Sequence, residues 1–174
     1  MPTIKTVLPS YYDGVVARME TEGEGCFPYI KVSVKWPTGG GESPWAHDLG
    51  NGLALMSNET LYPKYRFHDI FRFSGSYAGE IVSRPYPIKM LYAFEPLEDA
   101  KADEDRRQLL VDSLKNLRVL PGFFSPGHGY VLLREGVTPS EVKAALRGSG
   151  VPVSDEQIQD FDVTKDSYTY QAVE

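Results

Sequence analysis

Between Ile88 and Val163 the apolar residues follow two rhythms, and the order in which the rhythms alternate leaves few folds open. Ile88, Met90, Tyr92 and Phe94 alternate with Lys89, Leu91 and Ala93, the period of a strand, and Pro96 ends it. Leu110, Leu114 and Leu117 then recur at helical spacing after Asp103, which can cap a helix start. Val119 to Phe124 and Tyr130 to Arg134 read as strands around the turn Ser125-Pro126-Gly127-His128-Gly129. Thr138-Pro139-Ser140-Glu141 is a capping box with proline at the first helical position, and it predicts a helix carrying Val142, Ala145 and Leu146 up to Gly148. A last strand is expected over Val151 to Val153 and Gln157 to Val163, with Asp166 to Glu174 as a tail. Strand, helix, strand, strand, helix, strand is the order of a ferredoxin-like βαββαβ unit. In such a unit Leu110, Leu114, Leu132 and Val142 should share one core.

The first half reads differently. Ile4 to Leu8 and Val15 to Met19 have the look of short strands, with Asp13-Gly14 as a hairpin signal between them. Ile30, Val32, Val34 and Trp36 alternate with Lys31, Ser33 and Lys35 until Pro37. Ser43 to Leu49 and Leu53 to Met56 flank Gly50-Asn51-Gly52, a hairpin signal. Tyr65 to Phe73 is again period two, with Tyr65, Phe67, Asp69, Phe71 and Phe73 on one face. Gly75 to Gly79 then turns the chain into Glu80 to Arg84. A series of short strands with Gly-rich turns predicts a small β-barrel or bent sheet, because closing or bending a sheet protects its edges. The prolines of Arg84-Pro85-Tyr86-Pro87 restrict the backbone and mark a boundary. The expected fold class is therefore α+β, with a β-rich, barrel-like half at 1–84 and a ferredoxin-like half with a short C-terminal tail at 85–174.

Charge and composition remove several function classes. A net charge of −6, from 24 acids against 18 bases, repels a phosphate backbone. Arg106, Arg107, Lys115 and Arg118 form no basic patch, being interspersed with Asp103, Glu104, Asp105 and Asp112. No nucleic-acid partner is expected. No apolar run approaches the roughly 20 residues of a membrane span, so no membrane partner is expected either. Met1 to Ser10 lack the pattern of a secretory signal, and the expected location is cytoplasmic. Cys26 is the single cysteine, which rules out an internal disulfide or a multi-cysteine metal site. His47, His68 and His128 fall in separate elements without metal-ligand spacing, and no serine stands in a G-x-S-x-G elbow. Neither a catalytic set, a metal nor a cofactor is expected.

What remains is aromatic. The chain holds 11 tyrosines, 8 phenylalanines and 2 tryptophans. Trp45, Tyr62, Tyr65 and His68 lie near Pro-containing loops or strand ends, where aromatics act as partner anchors. They are the candidate partner-binding residues, and the surrounding carboxylates suit another protein with a basic surface. The expected function is a non-catalytic protein-binding or inhibitory module, of the kind found among immunity-type or phage-encoded inhibitor proteins. The alternatives are a small hydrolase or transferase using a His/carboxylate site between the halves, and ligand sensing in the barrel.

Glu42-Ser43-Pro44-Trp45-Ala46-His47-Asp48-Leu49-Gly50-Asn51-Gly52, followed by a strand containing Asp69-Ile70, resembles a bacterial domain-of-unknown-function family. That family carries an E-S-x-W-A-x-x-L-G-x-G strand-turn and then a G-D-V strand. The likeness runs from about Tyr29 to Val163, and His68 stands where the family usually has glycine. The resemblance implies a small β-barrel followed by a ferredoxin-like half, and it supplies no catalytic residues.

Overall fold

The computed structural model describes residues 9–61, 64–162, 164–165 and 167–174. The chain is α+β and divides into two compact units between Tyr86 and Pro87. The strand expected over Ile4 to Leu8 lies outside the described residues.

The first unit opens with helix α1 (Pro9–Glu22), not with a strand and hairpin. Tyr12 and Val15 are buried, and with Met19 they follow helical rather than strand spacing. Gly14 is exposed on this helix, so Asp13-Gly14 does not turn the chain. After a single 3-10 turn at Glu24–Cys26 come β1 (Tyr29–Lys31), β2 (Val34–Lys35), β3 (Gly41–Glu42), β4 (Trp45–Gly50), β5 (Leu53–Met56), β6 (Ile70–Ser74) and β7 (Tyr77–Ser83). An antiparallel sheet runs β1-β4-β5-β6-β7, while β2 and β3 form a separate ribbon. Gly50, Asn51 and Gly52 all have positive φ in the β4–β5 turn, the conformation that Gly-Asn-Gly adopts at little cost.

The described residues form no closed barrel. The sheet bends instead: Ser33, just past β1, bridges Tyr77 at the opposite edge, and its carbonyl accepts from Ala78 N at 3.0 Å. Val32, Val34, Ala46, Ala54, Met56, Tyr65 and Phe71 fill the concavity. The strand expected from Tyr65 begins only at Ile70, because Arg66 to Asp69 is a turn. Asp69 N donates to Arg66 O at 3.0 Å, Arg66 N donates to the Asp69 carboxylate at 2.8 Å, and His68 has φ 62°.

The second unit contains β8 (Ile88–Phe94), α2 (Ala100–Ser113), β9 (Val119–Ser125), β10 (His128–Leu133), α3 (Pro139–Arg147), β11 (Val153–Asp162) and β12 (Ser167–Ala172). Its sheet runs β12-β11-β8-β10-β9, antiparallel at every pairing. The expected tail is in fact edge strand β12, paired to β11 from Ser167 opposite Asp162 to Ala172 opposite Gln157. Asp99, rather than Asp103, caps α2 through Ala102 N. The α3 capping box forms: Thr138 N donates to Glu141 Oε2 at 2.8 Å and Glu141 N to Thr138 Oγ1 at 3.3 Å. Met90, Tyr92, Phe94, Leu110, Leu114, Val131, Leu133, Val142 and Leu146 share one core. Leu132 is buried but belongs to the other side of β10, since strand alternation gives the helix-facing side to Val131 and Leu133.

Candidate functional site

The first unit carries a cleft of about 590 Å³ on the outer side of β1 and β4. Pairing places Tyr29 opposite His47 and Lys31 opposite Trp45, so Tyr29, Trp45 and His47 project from one face while Ile30 and Ala46 turn to the core. The Tyr29 and His47 ring centroids are 4.2 Å apart, and Tyr29 meets Trp45 edge to face at 6.3 Å and 88°. The Arg66–Asp69 turn supplies another wall. Phe67 and His68 stack at 3.8 Å, and His68 Nδ1 is held by Tyr12 Oη of α1 at 2.6 Å.

Polar groups converge on the same space. His47 is 2% exposed, and its Nδ1 lies 3.2 Å from Phe27 O. A carbonyl only accepts, so this contact puts the proton on Nδ1 and leaves Nε2 of the neutral ring as an acceptor. Ser57 N donates to Trp45 O at 3.1 Å, while Ser57 Oγ is buried with no hydrogen-bond partner among the described residues. Glu24 stands at the rim and accepts from Tyr29 Oη at 2.9 Å. This hydrogen bond is the main reason the Tyr29 phenol lies above its ordinary pKa, with loss of solvation and the Glu24 charge adding to it.

The turn that carries Phe67 and His68 rests on a buried carboxylate. Asp69 has no exposure, and Arg84 approaches both of its oxygens, with Nη2 at 2.8 Å from Oδ2 and Nε at 3.1 Å from Oδ1. Burial raises the Asp69 pKa, against the lowering effects of Arg84 and of the Arg66 N–H. The Arg66 guanidinium, also buried, donates to Tyr86 O at 3.3 Å.

Of the four candidate partner residues, Trp45 and His68 line this cleft. Tyr65 does not: it is 2% exposed, packs edge to face on Phe71, and donates its hydroxyl to Gly79 O at 2.6 Å. Tyr62 lies outside the described residues. Sequence reasoning missed Tyr29, Phe67, His47 and Glu24 as members of the cleft. Tyr29 was detectable in principle as an aromatic in phase with Lys31 and Ser33 on the polar side of its strand, but its neighbours are set by cross-strand register. His128 is exposed in the second unit, with Nδ1 2.9 Å from Ser125 Oγ.

Chemically, the cleft presents aromatic surface and hydrogen-bond acceptors. Ser57 Oγ bonds to neither imidazole among the described residues, whereas the Tyr12 hydroxyl is hydrogen-bonded to His68 Nδ1. Among the described residues no three His, Cys, Asp or Glu side chains form a group able to hold a metal, and no helix is long and apolar enough to cross a membrane.

The sequence matches no protein family and no curated protein. Among solved structures it is similar to the crystal structure of a hypothetical protein from Neisseria gonorrhoeae, at 9% identity and a TM-score of 0.43, over 74% of this chain and 92% of that one.

Proposed function

We propose that this protein is a non-catalytic protein-binding module, of inhibitory or immunity type, whose aromatic cleft receives a partner with a basic surface. One observation carries the reading: Tyr29 and Trp45 remain 48% and 45% exposed while standing edge to face at the mouth of a cleft with the Glu24 carboxylate at its rim. Exposed aromatics beside a concavity are the usual energetic centre of an interface. The net charge of −6 favours encounter with a basic partner. The contact residues in this reading are Trp45, His68, Tyr29 and Phe67; Tyr65 holds the core beneath them. We read the second unit as ferredoxin-like on the strand order β11-β8-β10-β9, with α2 and α3 as its crossovers. The first is a bent sheet where the strand-turn resemblance implies a small β-barrel.

The test is to recover the partner with the tagged protein from its native cell, reconstitute the pair, and compare the natural protein with Trp45→Ala. Affinity should fall by about tenfold or more, mostly through faster dissociation, and association should slow as salt rises. A complex indifferent to both Trp45→Ala and salt overturns the proposal. So does turnover of a substrate that is abolished by His47→Gln while the complex stays intact.

A further inference from the structure

We infer that the cleft takes a guanidinium group, so that the partner inserts an arginine side chain among these rings. The inference rests on the protein-binding reading above and supplies the chemistry of its contact. The polar groups the fold leaves unused in the cleft accept hydrogen bonds. With Nδ1 committed to Phe27 O, His47 offers Nε2, which has no partner among the described residues although the side chain is almost wholly buried. Ser57 Oγ is buried and unpartnered, and Glu24 has lone pairs beyond the one used by Tyr29. Asn58, exposed at the rim, adds a side-chain amide that can both donate and accept. An anionic ligand would meet a carboxylate and unshared lone pairs. A ligand rich in donors and without acceptors pairs His47 Nε2, the Glu24 carboxylate and the Ser57 Oγ lone pairs together, which among protein groups means guanidinium or ammonium.

The walls decide between these two. Tyr29 and Trp45 stand at 88° to one another, and Phe67 and His68 stack with their planes only 17° apart. Flat surfaces set at right angles let a planar group stack on one ring and direct its edge N–H groups at acceptors beyond it. Guanidinium does this, whereas ammonium is a compact, strongly hydrated charge without a face. The Trp45 indole already draws a cation, since Lys31 Nζ lies 5.0 Å from its centroid. The volume of about 590 Å³ exceeds what one arginine side chain needs and falls in the range of ligand-binding clefts.

The experiment uses three small probes: Nα-acetyl-arginine N-methylamide, its lysine counterpart, and the citrulline counterpart, which keeps the shape of arginine without the charge. Each is titrated into the full chain while the indole N–H of Trp45 and the ring signals of His47 are followed by NMR. The arginine probe should shift both with millimolar affinity, the lysine probe should bind about tenfold more weakly or worse, and the citrulline probe should give no response. Trp45→Leu and Tyr29→Leu replace exposed side chains, so a folded spectrum with Ala46 and Ala54 unmoved is the control for each. Each variant should weaken the arginine response by about fivefold or more. Equal binding of lysine, binding of citrulline, or shifts that survive both variants overturn the inference. Silence from all three probes also overturns it, yet leaves the protein-binding reading to its own test, because a complex lost on Trp45→Ala would then assign the cleft a different chemistry.

Discussion

The ring of Tyr92 lies over Gly129, the residue paired directly opposite it on β10, in the space where any other residue would place its Cβ. One position along, on the other face of the sheet, Tyr130 covers Gly122 of β9 in the same way. A tyrosine over a facing glycine fills a gap in the pleat and fixes register, since a slip of one residue would put the ring against a side chain. Gly129→Ala and Gly122→Ala should each cost about 1–3 kcal/mol, because the ring must leave its place. Urea unfolding measures it, and a loss below about 0.5 kcal/mol for both would show that the rings move aside freely.

The same tyrosine carries a liability. Tyr92 Oη is buried without a hydrogen-bond partner among the described residues, and burial lifts its pKa far above the ordinary phenol value. Removing such a hydroxyl relieves a desolvation cost and breaks no bond. Tyr92→Phe should therefore leave stability unchanged or raise it by up to about 1 kcal/mol, whereas a loss of that size in thermal unfolding would contradict an unpartnered hydroxyl.

Arg84 is the cation for a carboxylate with no exposure. Arg84→Met should destabilise the protein by about 3 kcal/mol or more, since it strands the Asp69 charge in the interior. Burial raises the folded pKa of Asp69 above its ordinary 3.8. A carboxyl whose folded pKa exceeds its unfolded one contributes stability that is whole below the unfolded value and declines as pH rises through the folded one. As pH rises above about 4, Asp69→Asn should accordingly become progressively more stable relative to the natural protein, and the decline should be steeper in Arg84→Met. The opposite trend in unfolding free energy would reverse the assigned sign.

Gly14 lies on α1 with no atom within 4 Å of where a Cβ would sit, and its φ is not positive. Gly14→Ala should stabilise the protein by about 0.5–1 kcal/mol, by removing backbone freedom from the unfolded chain and adding helix propensity. Denaturation that shows no gain would mean that the helix contributes little to the folded unit.

Tyr65→Phe separates the core from the cleft. Loss of the partly buried hydrogen bond to Gly79 O should cost about 1 kcal/mol while partner affinity stays as it was. An affinity change beyond the stability effect would return Tyr65 to the binding surface.

The second unit was the more legible in the sequence because its signals are local. The Thr138 capping box, the Leu110/Leu114 spacing and the alternation along Ile88–Phe94 each follow from chemistry within a few residues. Two failures fall in the first unit. The Val15-Val16 pair looks β-forming, yet Tyr12, Val15 and Met19 present a helical stripe that a five-residue window cannot reveal. Tyr65 to Phe73 kept period two through the Arg66–Asp69 turn, and what breaks the strand is the grip of Asp69 on Arg66 N and on Arg84, 15 residues away. The cleft was legible only in part for the same reason. Trp45 and His68 stood out as aromatics near loops, but Tyr29 and His47 meet through register, and Phe67 enters through the turn.

Arg84 also reaches Lys64 O, and the Arg66 guanidinium reaches Tyr86 O, so the last residues before the second unit are buckled to both ends of the segment that bears Phe67 and His68. The exit of the chain thus acts as the clasp of the aromatic wall. A fragment ending at Ser83 would keep every strand of the first unit, but it would lose the cation beside Asp69 and the anchor of Arg66, leaving that wall unfastened.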